Sequence, residues 1–411
     1  MAMRLLYALD TYRPNIDGVA VASERLAHGL SKRGHTVAVV APARRLADYL
    51  ETVSGLPVYR VRSLRLLSDR WWVPLLPREG VQRAIRDFRP DVVVVSLPFL
   101  LSRAALVESR EQGVPVVGVT GTMPEWLTAN LPLPHELAKK AWPALWRAIA
   151  AYYNGCDVVV GVTHTALDLL RIHGLSRPGA VISNGVSPRR FRPRRRDVAM
   201  ACSLGLDQRP TVLYTGRLDA EKDMDIWLRA AARLRELGVD AQYLLVGNGT
   251  ERNKLAEYAR SLGLDGQMRF AGFMESGQYE RVFSLGDVFA IASRAELQSI
   301  VALEAAASGL PLVAAEAGAL PELVRHGFNG YLFPPRDQEA MAQRLANLLA
   351  DRNLLRQMGR RSRLIALQHD IEQSVGAYER LFESLLGRKH QRSGVVWRRH
   401  GSENVRAEAS S

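Results

Sequence analysis

Short apolar runs rich in valine and isoleucine alternate with helix-length segments along the whole chain. This is the pattern of parallel strands joined by crossover helices. In the first half the runs cover residues 4–9, 36–41, 58–62, 91–96, 115–120, 157–162 and 180–183. A second series covers 211–215, 242–246, 268–272, 287–292 and 311–315. Val92, Val93, Val94 and Val95 follow one another without a polar alternate, which suits a strand covered on both faces. The polar, proline-bearing stretch 187–196 separates the two series and reads as a linker. Two βα series predict an α/β protein of two doubly wound, Rossmann-like domains that face a central cleft. Ligands of such sheets sit outside the C-terminal ends of the strands. The expected division is a first domain at 1–190 and a second at 197–369. A helix near 370–387, with Val375, Tyr378, Leu381, Phe382 and Leu385 at helical spacing, is expected to return to the first domain. A basic polar tail, 388–411, is expected to lack order.

A chain of 411 residues accommodates two such domains, and 47% apolar with 24% charged residues is a globular composition. No run approaches the roughly 18 apolar residues of a membrane span. The start reads as a first strand, without the apolar core and cleavage site of a secretory signal. Cys156 and Cys202 make neither a metal spacing nor a disulfide framework, so the expected setting is the reduced cytoplasm. Charge changes the picture most. Through Arg196 there are 28 basic against 15 acidic residues, and beyond it the two kinds balance, so the net +13 belongs to the first half. That asymmetry points to an anionic partner, unless it reflects general arginine usage. Nucleic acid is disfavoured, since no helix-turn-helix, zinc or RNA-binding signature accompanies the charge. An anionic membrane surface, with the protein peripheral on the inner face of the cell membrane, is the expected alternative.

Four features carry chemistry. Asp17-Gly18-Val19 follows the first strand and opens a helix, where a glycine lets backbone approach a diphosphate. Gly216-Arg217 follows the strand at 211–215, with Lys222 five residues on, so two cations can meet the charge growing on a departing diphosphate. The run from Ala292 to Pro311 places Glu296 in a loop and Glu304 inside an apolar helix that starts close behind it. Carboxylates accept from vicinal hydroxyls, of a sugar or of a ribose. Glu304, buried among alanines, needs such a partner. Amides of Gln298, Ser299 and Ile300 lie at the helix start, where an anion is favoured, and Leu297 beside them is counted with the donor-binding residues. The fourth feature, Gly318-Ala319-Leu320-Pro321-Glu322, is a turn and a helix start.

In this order the features resemble the retaining glycosyltransferases of the two-lobed GT-B fold, family 4 or group 1, whose two glutamates are separated by seven residues. The resemblance runs from Asp10 to about Leu386. It implies that Glu296 contacts the donor sugar, Glu304 the ribose, and Arg217 with Lys222 the diphosphate. Backbone at Gly216, Gly247, Gly272 and Phe273 would border the nucleotide. It further implies transfer with retention, without a metal ion or other cofactor, by front-face attack with the leaving phosphate as base. The stretches 9–19 and 301–311 look like bacterial diacylglycerol glucosyltransferases. That narrower likeness implies glucose moved from UDP-glucose to a lipid hydroxyl such as that of diacylglycerol. A soluble sugar or polyol acceptor is the alternative.

The chain departs from the family where a histidine is expected beside the reacting carbon, because Gly121 occupies that place. Its loss would cost on the order of 10²-fold in rate. It leaves open a catalytically weak, nucleotide-sugar-binding paralogue. Thr120, Thr122 and Glu125 are the candidate replacements, and Asp17, Gly121, Thr122 and Glu125 are expected on the acceptor side, whereas His164 is expected at a helix start. Asp223 and Ser299 stand where glycines are usual. Asp223-Met224-Asp225 has the form of a metal motif, but at a helix start the acidic residues more simply favour the dipole. Trp142 and Trp146, among Lys139, Lys140 and Arg147, allow either a membrane-facing segment or a core helix, broken in two by Pro143. Trp71 and Trp72, near Arg65, Arg70 and Arg78, are a second such patch.

Overall fold

The computed structural model describes residues 2–15, 17–66, 71–128 and 135–394. In the first lobe the strands are β1 (Arg4–Ala8), β2 (Thr36–Pro42), β3 (Tyr49–Val53), β4 (Leu56–Val61), β5 (Ser63–Leu66), β6 (Trp71–Pro74), β7 (Val92–Val95), β8 (Val116–Val119), β9 (Val158–Gly161) and β10 (Gly179–Val181). Eight of them form one sheet in the order β10-β9-β8-β7-β1-β2-β4-β3. It is parallel except for the edge hairpin β3–β4. The second lobe holds β11 (Thr211–Thr215), β12 (Gln242–Val246), β13 (Met268–Gly272), β14 (Val288–Ile291), β15 (Leu312–Ala315) and β16 (Gly330–Phe333) in the order β13-β12-β11-β14-β15-β16. The order reverses beside β1 in one sheet and beside β11 in the other. Each reversal opens a crevice at the strand ends.

The unbroken apolar runs do occupy doubly covered strands: β7, β8, β9, β11, β12, β14 and β15 are buried almost throughout. The strands that sequence patterning missed, β3, β5, β6 and β16, lie at sheet edges or in the separate β5–β6 hairpin. Such strands are half exposed or short, so their composition carries little apolar signal.

The stretch 187–196 is no loose tether. Phe191 is buried in the core of the second lobe, and Arg190 binds Glu280. The last helix, Ile371–Gly394, runs past the point at 388 where order was expected to end. Residues 395–411, the rest of the expected tail, lie outside the described residues. Val375, Tyr378 and Phe382 pack with Met3, Leu5 and Tyr7 under the first sheet. Contact with the first helix, Gly18–Lys32, is close enough that a Cβ on Gly29 would strike Val375.

Pro143 does not divide its segment. The helix His135–Tyr153 is continuous through it. Proline forfeits one hydrogen bond on an exposed face, while Trp146, Ile149, Ala150 and Tyr153 anchor the helix in the core. Trp146 therefore takes the core reading, stacked on His173 at 5.5 Å, and the indole of Trp142 donates to Thr128 at 3.0 Å. In the second patch Arg78 is bound to Glu108 and Glu111, and Arg70 lies outside the described residues. Among the described residues no helix is long and apolar enough to cross a membrane.

Candidate functional site

The two crevices face each other, and the first helix of one lobe meets the helix Ile300–Ala307 of the other. Asp17 caps the first helix, accepting from the Ala20 amide at 2.9 Å and from the Thr11 hydroxyl at 2.5 Å. A Cβ on the adjacent Gly18 would lie 4.0 Å from Ile300, the first residue of the helix Ile300–Ala307. Between the helices is a cavity of about 160 Å³. Asp17, Gly18, Thr120 and Gly121 line it from the first lobe. Arg217, Lys222, Glu296, Leu297, Gln298 and Ile300 line it from the second. Pockets for cofactor-sized ligands span roughly 300–1,000 Å³, so this cavity accommodates only part of a nucleotide sugar.

The two cations are both present and both engaged. Lys222 Nζ lies 2.8 Å from Glu296 Oε1. Arg217 is held by Asp219 and Glu221. Burial opposes the charge on Arg217, but Glu221, Asp219 and Asp17 outweigh it and raise its pKa. A diphosphate entering here would compete with Glu296 for Lys222. The loop that carries Glu296 rests on Gly318, at φ +53°, where a Cβ would strike the Glu296 carbonyl. The Ala319 amide donates to that carbonyl at 2.8 Å. Gly318 is thus required by close approach of backbone.

Glu304 is almost fully buried and does not line the cavity. Its Oε1 accepts from Arg25 Nη2 at 2.5 Å, and its Oε2 from the Tyr279 hydroxyl at 2.8 Å. Burial, then the neighbouring carboxylate, push the Tyr279 phenol well above its ordinary range. The partner that the carboxylate needed is therefore in part an arginine of the other lobe, which sequence reasoning did not single out. Its only signal was its position seven residues after Gly18.

Gly216, Gly247 and Gly272 stand side by side at the ends of β11, β12 and β13. Gly247 donates to the Gly272 carbonyl at 2.7 Å, and a Cβ on Gly247 would strike the Gly216 carbonyl. Phe273 follows them with its ring exposed. Of this group the cavity is lined by none, which puts it beyond the charged pair. Ser299 serves as helix cap, and Gln298 spends its side chain across the seam on the Asn184 amide at 2.7 Å and Ser183 at 3.0 Å.

On the acceptor side the expectations divide. Thr120 lines the cavity with its hydroxyl accepting from the Val162 amide at 3.1 Å. Thr122 and Glu125 are not among its lining residues. Their Thr122 Oγ1 and Glu125 Oε2 atoms are buried without a hydrogen-bond partner, and burial raises the Glu125 pKa. His164 opens the helix His164–Ile172, whose first amides are capped across the seam by Glu322. The Asp223-Met224-Asp225 motif is taken apart by ion pairs, Asp223 to Arg294 at 2.6 Å and Asp225 to Arg229 at 2.5 Å. Asp223 sits at φ +48°, a left-handed position that aspartate tolerates in place of glycine.

Comparison with known proteins fits this arrangement. A family model described as glycosyl transferases group 1 matches residues 202–364, and one described as glycosyltransferase family 4 matches 16–190. D-inositol 3-phosphate glycosyltransferase of Nocardia farcinica is 32% identical over 370 residues, 88% of this chain and 70% of its own. The chain belongs to the group 1 glycosyltransferases. Two further relatives are mannosyltransferases by name. The GDP-mannose-dependent alpha-mannosyltransferase of Mycolicibacterium smegmatis is 28% identical over 95% of this chain and 100% of its own. The GDP-mannose-dependent alpha-(1-6)-phosphatidylinositol monomannoside mannosyltransferase of Mycobacterium tuberculosis is 29% identical over 87% and 91%. Sucrose-phosphate synthase from Thermosynechococcus elongatus superposes with a TM-score of 0.79 at 19% identity, over 94% of this chain and 100% of that one. The fold of this glycosyltransferase is GT-B. Its donor is a nucleotide sugar and its acceptor a hydroxyl, while the narrower likeness to diacylglycerol glucosyltransferases is not specifically shared by these relatives.

Proposed function

We propose that this glycosyltransferase moves a hexose, with retention and without a metal ion or other cofactor, from a nucleoside diphosphate to a hydroxyl of a membrane lipid. The observation that carries the reading is the Lys222–Glu296 pair at 2.8 Å in the interlobe cavity, beside Arg217. A diphosphate arriving there takes Lys222 and Arg217 as counter-charges. Glu296 is released to accept from the hydroxyls of the donor sugar, and Glu304 accepts from the ribose. As the bond to the anomeric carbon breaks, the two cations stabilise the departing phosphate oxygens. The same phosphate takes the proton of an acceptor hydroxyl attacking from its own face, which retains configuration. The names of the two mannosyltransferase relatives support GDP-mannose as the first donor to test, ahead of UDP-glucose.

A lipid acceptor such as diacylglycerol or a phosphatidylinositol glycolipid is supported by the name of the Mycobacterium tuberculosis relative and by the +13 charge excess before residue 197. The protein would then work in the cytoplasm, at the inner face of the cell membrane. A second reading, a soluble polyol acceptor, is favoured by the name of the Nocardia relative. A thermal-shift screen of GDP-, UDP- and ADP-sugars tests the donor, since a true donor raises Tm by mass action. Incubation of the labelled donor with lipid extract, or with inositol phosphate, then tests the acceptor. Failure of every sugar nucleotide to raise Tm would sink the donor site. Sedimentation apart from anionic vesicles at physiological salt would remove the lipid-surface reading. Donor binding without product on either acceptor would leave a binding paralogue.

A further inference from the structure

The reaction scheme leaves Arg25 unused, although it is the one described first-lobe side chain with an ion pair to Glu304. It follows Gly18 by seven residues, which returns it within about 20° to the same face of the helix. That is the face that meets Ile300. From there Nη2 crosses the seam to Glu304, whose side chain is only 2% exposed. The guanidinium carbon also stands 5.8 Å from the centroid of Phe191, and Phe191 meets Tyr279 edge-on at 6.1 Å. Tyr279 holds the other carboxylate oxygen. Arg25 Nη1 is buried and has no hydrogen-bond partner. A carboxylate offers about four acceptor positions. Arg25 and Tyr279 use one each, so capacity for a diol remains on Glu304 alongside the unused donor on Arg25.

We infer that Arg25 is a positioning residue of the donor site, supplied by the opposite lobe, which orients Glu304 for the ribose and offers Nη1 to the same nucleotide. The inference rests on the reading of Glu304 as the ribose carboxylate. It adds a consequence that the second lobe alone does not have. The ribose is fully gripped only when the lobes are together, because the two ends of the ion pair belong to different lobes.

Calorimetric titration with GDP and 2′-deoxy-GDP, and with UDP and 2′-deoxy-UDP, tests this in the full-length protein. Wild type should prefer the ribonucleotide. Arg25→Met should weaken the ribonucleotide by roughly ten-fold, the loss of one charged hydrogen-bond partner, and bring the ribo-to-deoxy ratio towards one. Arg25→Lys should recover part of both, and in turnover KM for the donor should rise more than kcat falls. Should the Met variant fail to fold, Arg25→Gln carries the same comparison. A variant that binds the ribonucleotide as tightly as wild type or more tightly, or keeps the wild-type ratio, overturns the proposal. If wild type binds none of the four nucleotides, the donor site itself fails, and the proposal with it.

Discussion

Lys222 and Glu296, seventy-four residues apart in the chain, meet at 2.8 Å with both side chains largely buried, at the point where the two lobes face each other. Each neutralises the other's charge. On the proposed reading, a donor would replace each partner, with phosphate on Lys222 and a sugar hydroxyl on Glu296.

Lys222→Ala and Glu296→Ala should each lower kcat by roughly 10²–10³-fold, the range for removing a group aimed at transition-state charge. Circular dichroism should show the fold retained. Initial rates with a saturating sugar nucleotide check the first outcome, and turnover near wild type in either variant would remove the pair from the mechanism.

Gly121 leaves little room for the histidine that the family resemblance leads one to expect. A Cβ there would lie 3.0 Å from Val19 Cγ2 and 3.6 Å from Leu97 Cδ2. Gly121→His alone should gain no activity and lose stability by about 1–3 kcal/mol through overpacking. Combining it with Val19→Ala should relieve the contact and raise kcat above the single variant, by up to about 10²-fold if the imidazole reaches the sugar. Comparing kcat and urea midpoints of the two variants decides this.

Asp10 accepts from the Leu101 amide at 2.8 Å and the Ser102 amide at 3.2 Å, at the start of the helix Leu100–Glu111. Burial nevertheless wins and raises its pKa from 3.8 to about 6. A folded-state pKa above the unfolded value means that the native state binds the proton more tightly. The resulting stability is complete below pH 3.8 and is lost as pH rises through about 6. Its size is on the order of 3 kcal/mol at most. Asp10→Asn should abolish this fall, so the stability difference between variant and wild type should shift in favour of the variant across that window. Urea titrations at successive pH values measure it.

Glu322 reaches from the second lobe to the Thr165 amide at 2.6 Å and the His164 amide at 3.1 Å, a helix cap contributed across the seam. Glu322→Ala should cost about 1 kcal/mol, the usual worth of a cap. Because the cap exists only with the lobes together, the variant should also raise the donor KM. An unchanged Tm and KM would mean that the contact contributes nothing to closure.

Much of this protein was legible along the chain. The doubly covered strands announced themselves, since a strand buried on both faces can carry no polar alternate, and the order of Gly18, Arg217, Lys222, Glu296 and Glu304 pointed to a sugar-nucleotide site. Edge strand β3 was not legible because its half-exposed positions bear little apolar signal, and β16 because four residues, one of them glycine, make too short a run. The continuous helix through Pro143 was missed for another reason: local propensity argued for a break, and core packing of Trp146 and Tyr153 overrode it.

What the sequence determined by itself was the repertoire: two βα lobes, a glycine at a helix start, two cations, two glutamates. The tertiary structure alone decided who partners whom. It engaged Gln298 in hydrogen bonds across the seam and Ser299 in a helix cap, left Thr122 and Glu125 out of the cavity lining, and brought Arg25 to Glu304 over 279 residues of chain. Spacing along one strand or helix is set by backbone geometry and can be read locally. Contacts across the seam depend on how two separately folded surfaces meet, and no local pattern records that.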